Sequence, residues 1–319
     1  MIVDVHVHLI GMNAENGCIV SKKLSSGTVF HLLSYALGLR GIGRGELDRA
    51  YRKKLVDWVH GCDIDAAGLL ALDGVYDDAG RLDETRTHLY VPNDYLFDVC
   101  SVSEQILPIA SINPQRRDAL DELDRVTDRG AVAIKFLPNS QAFNPADPRY
   151  LPFWRKMADL GMPALTHTSF EHTIPPYFQE YGLPERLRPA LDEGVTVIAA
   201  HCAGSGVAHI KEDFGTWLAM LHEWPNLYGD ISAMASVSRF PYIHKVLAEE
   251  IAIDRVCLGS DFPVPVSPMV FARTIGLRRA MELGKIENPL QRNLETFRAL
   301  GVPDAVFERG AALLRRSAD

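Results

Sequence analysis

The segment Ile2-Val3-Asp4-Val5-His6-Val7-His8-Leu9 alternates apolar and polar side chains without a break. Alternation is the period of a β-strand, whose successive side chains leave opposite faces. It assigns Asp4, His6 and His8 to one face and Val3, Val5 and Val7 to the other. An ordinary apolar core has no use for a face of one carboxylate and two imidazoles. Two imidazoles two residues apart on a strand stand close enough to share one metal ion. A polar edge strand is the alternative for this segment alone, so further ligands must come from elsewhere in the chain.

Apolar runs recur at 66–72, 106–112, 131–137, 163–167, 195–200, 227–231 and 255–259. Most are followed by a helical pattern, several of them stopped by glycine: 116–129 before Gly130, 151–160 before Gly161, 184–193 before Gly194. Helices are also expected at 94–104, 207–223 and 241–251. Eight strands alternating with helices predict parallel pairing, and the count predicts an α/β fold closed into a (β/α)8 TIM barrel. A doubly wound open sheet would need a glycine-rich phosphate turn after the first strand, and Leu9-Ile10-Gly11-Met12 is not one. Residues 11–61 carry no second strand in this reading. Their helices, 30–37 and 46–59, form an insertion that caps the strand-one ligands. Residues 73–93 read as loop, and from Pro268 the chain is helical, with breaks near Asn288-Pro289 and Gly301-Val302-Pro303. No linker interrupts the pattern, so residues 1–319 are expected to form one domain.

Charge and cysteine usage exclude several classes of partner. A net charge of −8 lacks the basic stripe of a nucleic-acid binder. The five cysteines (Cys18, Cys62, Cys100, Cys202, Cys257) are odd in number and include no Cys-x-x-Cys pair, the pattern of reduced thiols. No signal peptide and no uncharged membrane span is apparent. The expectation is a cytoplasmic protein acting on a small molecule, without nucleic-acid or membrane partners.

Barrel enzymes carry their chemistry at the C-terminal ends of the strands. Read in order, those ends hold His6 and His8, then Lys135, His167, His201, Asp230 and Asp261. Packing alone explains one buried histidine. It does not explain titratable groups at most of the strand ends facing one mouth, because isolated buried polar groups are costly.

Together these residues resemble the metal-dependent amidohydrolase superfamily, in the branch that contains aminocarboxymuconate-semialdehyde decarboxylase. The resemblance rests on Asp4-Val5-His6-Val7-His8, Gly130–Pro138 with Lys135, His167, His201-Cys202-Ala203-Gly204, Leu227–Ser232 and Gly259-Ser260-Asp261-Phe262-Pro263. It implies one divalent metal, zinc (with Mn2+ or a second ion as alternatives), held by His6, His8, His167 and Asp261. It further implies that Asp261 accepts the proton of a bound water, and that His201 contacts that water or the oxyanion. In the alternative, His201 ligates a second ion. Lys135 is carboxylated and bridging in binuclear branches, whereas in this branch it is a free ammonium that positions substrate, the form expected here. His172 is a substitute for His167. Asn139, Gln141, Phe170 and Glu171, just beyond strand ends four and five, are candidate substrate contacts, and Asp230 faces either the pocket or a structural partner. Related proteins often form homodimers.

Two reactions follow. One is hydrolysis of a carbonyl compound, an amide, lactone or ester, by activated water. The other is non-oxidative decarboxylation of an aromatic or unsaturated carboxylic acid, which calls for a cation at the departing carboxylate. Arg81, Arg86 and Lys135 are the candidates for that cation, and none lies in an unmistakable motif. Hydrolysis is therefore the preferred expectation.

Overall fold

The computed structural model describes residues 1–27, 37–38, 41–206 and 213–314. Eight strands form one sheet in sequence order: β1 Val3–His8, β2 Ala66–Leu70, β3 Ile106–Ser111, β4 Ala133–Phe136, β5 Ala164–Thr166, β6 Val197–Ala199, β7 Leu227–Asp230 and β8 Val256–Cys257. Every neighbouring pair is parallel. The chain after β8 returns to β1 through Val5 N to Leu258 O (3.0 Å), Asp261 N to His6 O (2.9 Å) and His8 N to Phe262 O (2.8 Å). The sheet thus closes on itself as the expected barrel, because eight tilted parallel strands leave an interior that side chains can fill.

Side-chain parity follows from the two apolar clusters. Val3, Val5, Leu70, Ile109, Ala133, Leu165, Ile198 and Cys257 form the interior. Val7, Leu69, Ile134, Phe136, Val197 and Leu258 face outward, against the helices. The last helix, Asp304–Leu313, seals the floor: Leu314 joins the interior cluster and Leu258 N donates to Val306 O at 3.1 Å.

This parity corrects the expected face of β1. Asp4 pairs with Ala67 and Val7 with Leu69, so Val5 and His6 together oppose the single residue Gly68. That is a β-bulge, which turns two successive side chains to the same side. Val5 and His6 both point inward, His8 follows inward, and Asp4 is left on the barrel wall. There its Oδ1 accepts from Ser260 N (2.9 Å) and His6 N (3.1 Å), stitching β1 to the segment after β8. Strict alternation predicted one face for Asp4, His6 and His8; the bulge removes Asp4 from it.

Other expectations shift less. Ile19–Val20 pairs antiparallel with Leu89–Tyr90, a two-residue ladder inside regions read as helical insertion and loop. The helix expected at 46–59 runs Arg44–His60, and its Tyr51 hydroxyl donates to His8 O. Tyr51 and Trp58 also pack on Phe262, with ring centroids 6.2 and 5.4 Å away. The insertion helix therefore braces both the segment that carries His6 and His8 and the segment that carries Asp261. The helix expected at 30–37 falls almost wholly outside the described residues. Of the one expected at 207–223, Phe214–Met220 is observed and 207–212 lie outside them. From Pro268 the chain is helical as expected, with helices at Leu277–Gly284, Pro289–Ala299 and Asp304–Leu313. No helix among the described residues is long and apolar enough to cross a membrane.

Candidate metal centre

His6 is the pivot of the barrel mouth. Its Nδ1 lies 2.8 Å from Asp230 Oδ2, a pure acceptor, so Nδ1 carries the proton and Nε2 keeps the lone pair. The assignment agrees with the other side of the ring, where Lys135 Nζ donates to Nε2 at 3.1 Å. Asp261 Oδ1 stands 3.2 Å from His6 Nε2 and 3.1 Å from His8 Nε2. Four donors held tetrahedrally about 2.0 Å from zinc are separated by about 3.3 Å, which these distances match. Among the described residues His6, His8 and Asp261 form the group of three whose ligand atoms lie within 4.8 Å of one another. Two imidazoles and a carboxylate are also donor types that zinc takes, so the residues present fit the ion.

His167 stands outside that group, on the opposite wall at the end of β5. Its ring centroid is 5.3 Å from that of His201, which in turn stacks 5.5 Å from His6. His201 Nδ1 lies 3.0 Å from Ser232 O, a carbonyl, so Nδ1 is protonated and Nε2 is left as the acceptor. His201 and Asp261 both adopt φ of 59°, in the left-handed region that non-glycine residues rarely occupy. Such strain collects where a side chain must be aimed at a site. Gly259 shows how tight the mouth is, since a Cβ there would lie 2.9 Å from Ser232 Cβ and 3.0 Å from His6 Cβ.

Burial governs the protonation states. It pulls His6 down, with the Lys135 charge adding to the effect. Burial also lowers His201 well below the usual imidazole value, followed by the charge of Arg239. His167 is pulled down to about 4 by burial, against the opposing pull of Glu171. Burial would raise Asp261, but His201 and His6 outweigh it and hold the carboxyl well below the usual range. Lys135 is lowered to about 8 by burial, partly offset by Asp261, Asp230 and Glu171. Burial therefore favours neutral imidazoles at His6, His167 and His201, beside an ionised Asp261 and a Lys135 ammonium weakened by desolvation. His8 alone of the three-donor group reaches solvent appreciably, with 32% of its side chain exposed.

The remaining sequence candidates divide. Asp230 is fully buried and both oxygens are engaged: Oδ2 by His6, and Oδ1 by His201 N (2.8 Å), Ser232 N (3.0 Å) and the Ser232 hydroxyl. It orients His6 and His201, and both of its oxygens are taken up by the protein itself. Asn139 is likewise engaged, its Nδ2 donating to Ser169 O, Gln179 O and Gln179 Oε1, each at 3.1 Å, which ties the loops after β4 and β5 together. Gln141 bonds Leu137 N and Asp73 O and supports the β4 loop. Phe170 is half-buried, with its carbonyl 3.4 Å from His167 Nε2. His172 is exposed, and its ring stacks on that of Phe170 with centroids 6.4 Å apart. Arg81 pairs with Asp77 on the surface and Arg86 covers Tyr177. Cys202 is buried with its thiol donating to Asp230 O, as befits a packed residue.

Sequence reasoning missed Arg239, nine residues past the end of β7. Its Nε donates to Gly204 O at 3.0 Å, which ties it to the loop that follows His201. No motif or strand end marks it, and only the folded chain brings its charge to bear on His167, Glu171 and His201.

A family model described as amidohydrolase matches residues 3–286. The chain belongs to the amidohydrolase family. No curated protein matches the sequence significantly. Solved structures share the amidohydrolase chain's fold at low identity. An uncharacterized TIM-barrel protein of Bordetella bronchiseptica has 14% identity and a TM-score of 0.64, covering 98% of this chain and 96% of its own. 5-Carboxyvanillate decarboxylase of Sphingomonas paucimobilis has 12% identity and a TM-score of 0.56, covering 98% of each chain. A putative 2-pyrone-4,6-dicarboxylic acid hydrolase of Pseudomonas putida has 12% identity and a TM-score of 0.54, covering 98% of this chain and 94% of its own. Family membership points to an enzyme, and both a hydrolase and a decarboxylase share its architecture.

Proposed function

We propose that this amidohydrolase-family protein is a zinc-dependent hydrolase that adds water to the carbonyl of an amide, lactone or ester in a small organic substrate. The observation that carries the reading is the triangle of His6, His8 and Asp261 donors beside the free Nε2 of a neutral His201. His167 completes the ligand set from the opposite wall. When bound, the ion supplies Lewis acidity that polarises a carbonyl and brings water within reach of deprotonation near neutral pH.

The chain's own groups do the rest. Asp261, kept ionised, would take a proton from the attacking water and pass it on to the leaving group. His201 is neutral at working pH, so the lone pair on its Nε2 would accept a hydrogen bond from the same water and orient it. The Lys135 ammonium donates to a substrate oxygen, and burial of His6, Lys135 and His201 excludes bulk water from the exchange.

A second reading, decarboxylation, is favoured by one observation. Arg239, tied to the loop after His201, holds a positive charge near enough to act on His201, a cation that the sequence motifs did not reveal. It suits a carboxylate-bearing substrate in either reaction. The test is zinc-loaded protein assayed against lactones, esters and amides, with and without carboxylate substituents, in parallel with aromatic carboxylic acids. Hydrolytic turnover abolished by Asp261→Asn is expected. Carbon dioxide release without hydrolysis would replace the first reading with the second.

A further inference from the structure

Glu171 is a buried carboxylate that no step of the proposed reaction uses. It lies in the loop after β5, four residues beyond His167. Its Oε1 is engaged by two backbone donors, Ile174 N at 2.9 Å and Thr173 N at 2.5 Å. Its Oε2 faces His167 Nε2 at 3.5 Å. The other neighbour of that nitrogen is the Phe170 carbonyl, 3.4 Å away. Both neighbours accept and neither donates, so the surroundings favour the tautomer with the proton on Nε2 and the lone pair on Nδ1. The same loop is fastened from the other side. Gln179 Oε1 accepts from Glu171 N at 2.9 Å and from Asn139 Nδ2 at 3.1 Å, and Gln179 Nε2 donates to Glu171 O at 2.7 Å.

We propose that Glu171 is a positioning residue that fixes the tautomer of His167, so that Nδ1 is the atom this histidine presents to the ion. It repeats, with the ring reversed, what Asp230 does for His6, whose Nε2 is the free atom. A carboxylate or carbonyl behind a ligating imidazole sets both its orientation and its basicity. The inference rests on His167 being a ligand, as the proposed function has it.

The arrangement makes Glu171→Gln a one-atom test. Thr173 N and Ile174 N are donors, so the carboxamide must turn its oxygen to them, which leaves its NH2 facing His167 Nε2. A donor at that position demands a lone pair on Nε2 and drives the proton to Nδ1, the atom meant for the ion. The loop's bonds survive, so stability should not fall. Glu171→Ala removes both sets of contacts and should loosen the loop as well.

Zinc affinity is measured by chelator competition on the full chain, together with thermal stability and the absorption spectrum of the cobalt-substituted protein. For Glu171→Gln the expected result is zinc affinity lower by about 10–100-fold, an altered cobalt spectrum and an unchanged melting temperature in the presence of chelator. Zinc affinity and cobalt spectrum equal to those of the native protein would overturn the proposal while leaving the metal-dependent reading in place. A native protein that binds neither zinc nor cobalt would overturn that reading, and the proposal with it.

Discussion

Asp230 Oδ2 lies 2.8 Å from His6 Nδ1, and the second oxygen of the same carboxylate holds His201 N at 2.8 Å. One buried group on β7 therefore aims the His6 imidazole and, through the backbone, the neutral histidine beside it. Burial would push the Asp230 carboxyl up, but His6 and Ser232 hold it well below the usual range.

Asp230→Asn should separate orientation from ligation. His201 N, Ser232 N and the Ser232 hydroxyl all donate to Oδ1, so the amide oxygen stays there and the NH2 faces His6 Nδ1. That reverses the tautomer and protonates Nε2, the atom facing Asp261. Zinc affinity is expected to drop by about 10–100-fold, measured by chelator competition, while circular dichroism stays native. An affinity within twofold of native would show that the Asp230 contact is structural only.

Lys135 decides between one ion and two. Its Nζ is 3.1 Å from His6 Nε2, close enough as an ammonium to oppose a cation at the same nitrogen. Lys135→Met should therefore retain one zinc per chain by elemental analysis, bind it at least as tightly, and lose turnover by 100-fold or so, the scale of one electrostatic donor. Loss of metal from this variant would instead identify a carboxylated, bridging lysine.

Much of this was readable in the sequence, for a physical reason. The strands of a parallel barrel are covered on both faces, so they appear as short apolar runs, and a histidine, lysine or aspartate ending such a run stands out against them. Two kinds of feature were not readable. The bulge at Val5-His6 depends on the partner strand, because only pairing with Gly68 shows two residues opposing one. Arg239, and the placement of Glu171 behind His167, depend on loops whose paths are set by contacts such as Asn139 to Gln179, which leave no periodic trace. Asp230 illustrates the limit from the other side. Its position was legible, but its partners were not, and the partners determine that it orients His6 and His201.

The pH response of the metal-free protein follows from the same burial. His167 titrates near 4 when folded, below the ordinary imidazole value near 6.5, and His6 and His201 move in the same direction. Between those values these three histidines bind more protons in the unfolded chain than in the folded one, outnumbering Asp4, which burial raises to about 7 and which acts in the opposite sense, so stability rises with pH across the window. The contribution is fully present above about 6.5 and is lost progressively as pH falls towards 4. Urea denaturation in chelator at pH 7.5, 6 and 5 should show a falling midpoint, and added zinc should oppose the fall. A midpoint flat over that range would contradict buried neutral imidazoles.

Thiol chemistry should be silent. Burial pushes Cys18, Cys62 and Cys100 up to about 12 and Cys202 and Cys257 well above the usual thiol value. Reaction requires thiolate, so none of the five should react with a disulfide reagent in native protein at pH 8, and all five should react in denaturant. Fast modification of Cys202 in the native state would reopen the question of a nucleophile beside His201.

The bulge offers the sharpest test of how the site is aimed. Gly68 sits opposite Val5 and His6, and a Cβ there would meet Ile109 Cδ1 at 2.6 Å and Val5 O at 3.2 Å. Both contacts lie inside the barrel, where a close-packed interior yields little. Gly68→Ala must therefore push β1 outward or displace Ile109, at a cost of about 1–3 kcal/mol. If β1 moves, His6 moves with it, away from Asp230 and Asp261, and zinc affinity falls along with stability. If Ile109 moves instead, stability alone falls. Measuring the melting temperature with and without zinc distinguishes the two: loss of the zinc-induced rise is expected, because Val5 O belongs to the bulge that turns His6 inward.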